Sequence, residues 1–133
     1  MRSALAIVVL VALAAPAVSA GRAVAFSTPS RNIGCVGDST FVRCDISQTR
    51  AKPPPKPPSC RFDWGNAFQL GWRGRARRLC VSDSALGSRR ILRYGRTQRF
   101  GGRISCTSRR AGLTCRNSDG HGFFLSRQRI RLF

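Results

Sequence analysis

Apolar and polar positions alternate around two pairs of cysteines that have the same spacing. Cys35 and Cys44 are nine positions apart, and so are Cys106 and Cys115. If the cysteines of a pair lie opposite each other on antiparallel strands, one face of the hairpin is apolar and the other is polar. Directly opposed residues also lie within reach of a disulfide. The pattern predicts two hairpins, at residues 32–46 with a loop at 38–41 and at residues 102–117 with a loop at 109–112.

Three further stretches have the pattern of short strands. Residues 75–81 are strand-like, the apolar run 122–126 predicts a buried strand, and the alternation over 129–132 predicts a half-exposed one. With many turn residues between them, these elements indicate an all-β or β-rich fold. We expect one small, disulfide-stapled sheet that is curled into a barrel or a sandwich and carries the two hairpins.

The segment 60–72 is rich in aromatic residues and has a mixed pattern. Trp64, Phe68 and Trp72 have helical spacing, but nearby glycines argue against a long helix. The segment is therefore predicted to be a short helical turn or an irregular aromatic cluster. Such a cluster packs in a core or, as an alternative, offers a platform on which sugars or bases stack.

Five prolines in residues 51–59 exclude a helix or a central strand there. We interpret this segment as a stiff extended loop, with an SH3-type ligand as the alternative.

The first twenty residues have the pattern of a secretory signal peptide. A short basic start precedes the apolar run 4–15, which is shorter than the ~20 residues that span a bilayer. Small residues at 18–20 predict cleavage after Ala20, with an uncleaved anchor as the alternative. Residues 21–133 then form one secreted or envelope-associated domain without a transmembrane segment, and we expect it to be a monomer.

All six cysteines lie in residues 21–133, which for an exported protein predicts three disulfides. The hairpin register pairs Cys35 with Cys44 and Cys106 with Cys115, and elimination then leaves Cys60 to pair with Cys80. A zinc site is the rival interpretation, but it requires closer Cys or His pairs than this chain has. We predict no metal site and no cofactor.

Several strings resemble a family of small exported actinobacterial proteins with six cysteines and no known function. The matching strings are FSTPSRNIGC (26–35), CRFDWG (60–65), LCVSD (79–83), YG (94–95), LTCRN (113–117) and GHGFFLSR (120–127). The resemblance covers nearly all of residues 26–133 and implies an exported six-cysteine domain, without activity or functional residues. Arg31 departs from the pattern, which has glycine there, and puts a tight turn in doubt.

The charge of the chain adds a functional hypothesis. There are 24 basic and five acidic residues, for a net charge of +19, and all but two of the basic residues are arginine. This balance argues against an acidic disordered tail and a carboxylate-driven enzyme. It favours binding to polyanions such as anionic envelope polymers, acidic lipid headgroups or nucleic acid. Coding bias is the competing explanation. Candidate binding residues are Arg73, Arg75, Arg77, Arg78, Arg127, Arg129 and Arg131.

Two alternative functions use other features of the chain. A small hydrolase, such as a nuclease, could use His121 as a general acid or base with Asp63, Asp83 or Asp119 as its partner. A cationic antimicrobial or toxin-like protein would use its arginines to reach an anionic membrane. We favour a non-catalytic binding module for an anionic extracellular ligand over both.

Overall fold

A computed structural model describes residues 9–16 and 21–133 of the chain. The predicted cleavage site at residues 18–20 and the basic start at Met1 and Arg2 lie outside these described residues. Within the described ranges, no helix is long and apolar enough to cross a membrane.

Ten short strands form two five-stranded antiparallel sheets. The first sheet contains β1 (Val24–Ser27), β2 (Ile33–Gly37), β3 (Phe41–Ile46), β4 (Asp63–Gly71) and β5 (Arg77–Val81). The second sheet contains β6 (Thr97–Phe100), β7 (Ile104–Arg109), β8 (Gly112–Asn117), β9 (Gly122–Leu125) and β10 (Ile130–Leu132). Each strand is hydrogen-bonded to its neighbour along the chain, so both sheets are simple meanders.

The predicted β-rich class is confirmed, and the architecture is sandwich-like. Inward-facing side chains from both sheets share one buried cluster, as alternating strands in a sandwich require. Of the two predicted forms, barrel and sandwich, the structure has the sandwich-like one, with the strands divided between two sheets.

Both predicted hairpins are present with the predicted register. Cys35 lies opposite Cys44, and Cys106 lies opposite Cys115. Disulfides join each pair, and a third disulfide joins Cys60 to Cys80. These are the pairs that the sequence predicts.

The hairpin loops are shorter than predicted, because strand pairing extends further toward both turns. Phe41 already pairs with Gly71 of β4, so the first loop contains only residues 38–40. Arg109 pairs with Gly112, so the second loop is a two-residue turn.

The centre of the core is formed by residues at equivalent positions in the two sheets. The Sγ atoms of Cys44 and Cys115 are 3.8 Å apart across the sandwich. Phe68 lies opposite Cys44 on β4, and Phe123 lies opposite Cys115 on β9. The two phenyl rings meet with their centroids 6.0 Å apart. The repeat visible in the hairpins therefore extends to the next strand of each sheet.

The aromatic segment after Cys60 is a nine-residue strand, β4, and its prediction as a helical turn or irregular cluster is wrong. The pairing of β4 with β5 shifts between Trp64 and Phe68, and Gly65 within this bulge has a φ of 123°. A bulge inserts an extra residue and resets the alternation of faces. A spacing of four fits a strand as well as a helix, because every second residue of a strand faces the same side. Across the bulge, Trp64 contacts the proline-rich segment while Phe68 is buried in the core.

A tight turn forms at residues 28–33, although Arg31 stands where the family pattern has glycine. The amide of Thr28 donates to the carbonyl of Ile33 at 2.9 Å, and the amide of Arg31 donates to the carbonyl of Thr28 at 2.8 Å. Arg31 has a φ of 58°, in the left-handed region that favours glycine.

Replacing Arg31 with glycine is expected to raise the free energy of unfolding. The left-handed conformation costs an L-residue about 1–2 kcal/mol. The extra freedom of glycine in the unfolded chain offsets about 0.5–1 kcal/mol of that gain. We expect a net stabilisation of about 0.5–1 kcal/mol in urea unfolding. Arg31→Ala is the control, because alanine keeps the penalty. Equal stability of the two variants would contradict this account.

Candidate anion-binding surface

The outer face of the first sheet is partly covered by the proline-rich segment 51–59. The indole nitrogen of Trp64 donates to the carbonyl of Pro54 at 3.0 Å. Ring atoms of Pro53 lie 3.2 Å from where a Cβ on Gly65 would be, which explains why the bulge position lacks a side chain. The segment thus packs against the outer side of β4.

The arginine at the centre of this face, Arg43, is paired with acidic residues. Arg43 on β3 binds both carboxylate oxygens of Asp45, through Nε at 2.9 Å and Nη2 at 3.0 Å. Its Nη1 donates to Asp83 at 2.8 Å. The hydrogen bond to Asp45 raises the pKa of Arg43, and the hydrogen bond from Arg43 lowers the pKa of Asp83. This cation is fully engaged by acidic partners.

The outer face of the second sheet has the opposite character. Register places Arg99, Ser105 and Arg116 directly opposite one another across β6, β7 and β8. The next row contains Thr97, Thr107, Thr114, Phe124 and Arg131. Strands β6 to β10 contain no acidic residue. Both ion pairs found among residues 9–16 and 21–133 belong to Arg43 of the first sheet.

Several guanidinium groups of the second sheet stack on aromatic rings. Arg129 lies 5.0 Å from the ring centre of Phe124. Arg116 and Arg131 lie 4.7 Å and 5.1 Å from that of Phe133. Stacking fixes the plane of a guanidinium and leaves its N–H edge free to donate. These cations are therefore held in place without being neutralised.

Three arginines converge at one end of this face. Arg99 on β6, Arg103 in the β6–β7 turn and Arg116 on β8 line a pocket of about 180 Å³. The hydroxyl-bearing residues Ser105 and Ser118 also line it, and no acidic residue does. We call this site the arginine pocket. A pocket lined by cations and hydroxyl groups is suited to an anion.

The arginines predicted to bind polyanions are spread over several surfaces. Arg129 and Arg131 lie on or beside β10 of the second sheet. Arg127 is in the loop before it and donates to Gln48 at 2.6 Å. Arg77 and Arg78 are on β5 of the first sheet, and Arg73 and Arg75 are in the preceding loop.

Arg78 is engaged in packing more than the other candidates are. Its guanidinium lies 4.8 Å from the ring centre of Phe68, donates to the carbonyl of Gly65 and is partly buried. Burial lowers the pKa of Arg78. This side chain therefore supports the bulge of β4.

The contacts found for His121 among the described residues are made by its backbone. The backbone amide of His121 donates to Asn117 Oδ1 at 3.1 Å. Asp119 accepts from the amide of Gly74 at 2.9 Å, and Asp83 is bound to Arg43. In the part of the chain that the structure covers, no hydrogen bond joins the His121 side chain to an acid. A hydrolase that uses His121 stays a prediction.

Sulfur atoms form the closest group of potential metal ligands among residues 9–16 and 21–133. Cys44, Cys106 and Cys115 have their Sγ atoms within 4.8 Å of one another. All three are in disulfides, and metals bind the thiolate form of cysteine. This group belongs to the core.

Over residues 4–133 the chain matches a model of a protein family that is described as a family of unknown function. No curated protein and no solved structure matches it.

Proposed function

The chain belongs to DUF6636, a family of unknown function, and on that premise we propose that it is a non-catalytic module that binds an anionic ligand outside the cell. The binding surface is the outer face of the second sheet. The signal-like N-terminal pattern and the three disulfides support a secreted or envelope-associated location for this module.

The observation that carries the proposal is the contrast between the outer faces of the two sheets. On the first sheet, Arg43 is paired with Asp45 and Asp83. On the second sheet, Arg99, Arg116 and Arg131 share one face whose strands have no acidic residue. Like charges on one face repel each other, and an anionic ligand that lies across the face relieves this repulsion.

The surface fits binding from solution better than entry into a membrane. Within residues 21–133, the large apolar side chains that are exposed belong to Phe62, Leu86 and Tyr94. They lie on three separate segments of the chain. The antimicrobial alternative requires a broad apolar patch in addition to charge.

Replacing three arginines on the outer face of the second sheet is expected to weaken polyanion binding far more than removing three positive charges elsewhere on the surface. The test variant is Arg99→Gln, Arg116→Gln and Arg131→Gln combined. Labelled polyphosphate is the probe, measured across a salt series. Because each phosphate contact adds about one unit to the salt slope, we expect the slope to fall by about two to three units. Affinity at ~0.15 M salt should fall by more than about tenfold.

The matched control removes the same charge from other surfaces. It combines Arg22→Gln, Arg61→Gln and Arg89→Gln, which are exposed residues outside the strands. We expect less than about threefold weakening, because only the long-range field changes. Equal losses in both variants would show that net charge alone attracts the polymer and would overturn the proposed surface.

A further inference from the structure

We propose that the arginine pocket binds a tetrahedral oxyanion with three free oxygens, of the kind that a phosphate or sulfate monoester presents. This inference rests on the proposed function and names the chemical class of the group that the second sheet recognises.

The sheet register builds the floor of the pocket. Arg99 lies opposite Ser105, and Ser105 lies opposite Arg116, so two arginines flank one hydroxyl on the same outer face. Adjacent strands are about 4.8 Å apart, which places the two arginine backbones about 10 Å from each other. Side chains that approach from both sides can reach a ligand held above Ser105.

The third arginine enters from the turn and is held by the first sheet. Gly101 and Gly102 have positive φ values of 57° and 74°, and they turn the chain so that Arg103 lies at the pocket. The guanidinium of Arg103 lies 4.4 Å from the ring centre of Trp72. Trp72 is itself anchored through its amide, which donates to the carbonyl of Thr40 at 3.0 Å. This contact orients Arg103 before a ligand arrives.

Arg116 is also oriented in advance. Its guanidinium lies 4.7 Å from the ring centre of Phe133, and its Nη1 donates to the carbonyl of Gly120 at 3.3 Å. The nearest acid along the chain, Asp119, is bound to the amide of Gly74. The arginine pocket thus keeps its positive charge, and its donors are not satisfied by a carboxylate.

The number of donor residues and their positions on separate elements favour one shape of anion. A carboxylate has two oxygens in one plane, and a single arginine fork satisfies them. Three arginines on separate elements line the pocket together with Ser105 and Ser118, and such a set suits an anion with three oxygens to share among several donors. A phosphate monoester has three such oxygens and a charge of about −1.5 to −2. The pocket volume of about 180 Å³ holds a group several times the size of a water molecule.

The experiment measures binding of inorganic phosphate to the oxidised protein at constant ionic strength. Thermal unfolding and NMR titration are the readouts, with sulfate and acetate as comparison anions. We expect saturable stabilisation by phosphate and by sulfate, and none by acetate beyond the effect of chloride. Stabilisation by acetate equal to that by phosphate would overturn the assignment.

Arg99→Gln is the test variant, because Arg99 accepts a hydrogen bond only through its backbone carbonyl and the ion pairs among residues 21–133 belong to Arg43. Its stability without phosphate is expected to be unchanged or slightly higher, since it removes one of three like charges. Its affinity for phosphate should fall at least about tenfold. The control is Arg109→Gln, at the other end of the same face, with less than about threefold loss. Similar losses in both variants would contradict the pocket.

Two further arms separate this inference from the proposed function. Methyl phosphate and methyl sulfate identify which ester supplies the oxyanion; tighter binding of either supports the pocket, and binding of neither overturns it. If polyphosphate binds to the second sheet but no small oxyanion binds in the arginine pocket, this inference is overturned and the proposed function stands. If the protein shows neither specific polyphosphate binding to the second sheet nor oxyanion binding in the arginine pocket, both the proposed function and this inference are overturned.

Discussion

Replacing Cys106 and Cys115 together with alanine is expected to lower the free energy of unfolding by about 4 kcal/mol. Loop-closure entropy for a bridge across nine positions contributes about 3 kcal/mol, and loss of two buried sulfur atoms adds about 1 kcal/mol. Both cysteines are fully buried. Small domains have only about 5–15 kcal/mol of stability, so this loss is a large share of the total. With a urea m-value of about 1–3 kcal/mol/M, the midpoint of unfolding should fall by about 1–4 M.

The third disulfide provides a control that separates the two contributions. Cys60 and Cys80 are twenty positions apart and lie outside the buried cluster. Loop entropy alone makes this bridge worth slightly more than the hairpin bridge. We nevertheless expect Cys60→Ala with Cys80→Ala to cost only about 3 kcal/mol, because no core contact is lost. A larger loss here than in the hairpin variant would mean that the buried sulfurs contribute nothing through packing.

Phe123→Ala is expected to lower the free energy of unfolding by about 4 kcal/mol, as is usual for a fully buried phenylalanine. Phe123 is 0% exposed, and its ring meets that of Phe68 at the centre of the sandwich. Phe68 is equally buried and occupies the equivalent position in the first sheet. Phe68→Ala should therefore have a similar effect in urea unfolding.

The pair also has a measurable coupling. Combining the two phenylalanine changes should cost about 1 kcal/mol less than the sum of the single changes, because the contact between the rings is lost only once. Phe62→Ala is the control: Phe62 is 55% exposed, so its removal should change stability by less than about 0.5 kcal/mol. Strictly additive losses would show that the rings do not interact across the core.

Elements with uninterrupted alternation could be predicted from the sequence. Around Cys35 and Cys44, a strict period of two fixes both the register and the inward face, so strand pairing followed directly. Around Trp64 the period is broken by a bulge, and one sequence does not reveal which partner strand absorbs the extra residue. Strand β6 carries only one large apolar side chain, Phe100, so its sequence has no recognisable strand pattern.

The arginine pocket could be predicted only in part. The hairpin register already places Ser105 opposite Arg116 on a polar face. Arg99 and Arg103 join them only because β6 pairs with β7 and because the turn between these strands is tight. A search for arginines that are close along the chain instead selects Arg73 to Arg78, which belong to the first sheet and its loop. Proximity across strands depends on pairing, and composition carries no information about pairing.

The equivalence of the two sheets can be expressed as symmetry. In an isologous interface, residues on the two-fold axis contact their own counterparts. Cys44 meets Cys115 and Phe68 meets Phe123 in this way, so at the centre of the core the two sheets meet as two subunits of a dimer do. Such symmetry constrains only the inward positions. The outward positions are free to differ, and one half carries a proline-rich cover while the other carries exposed arginines.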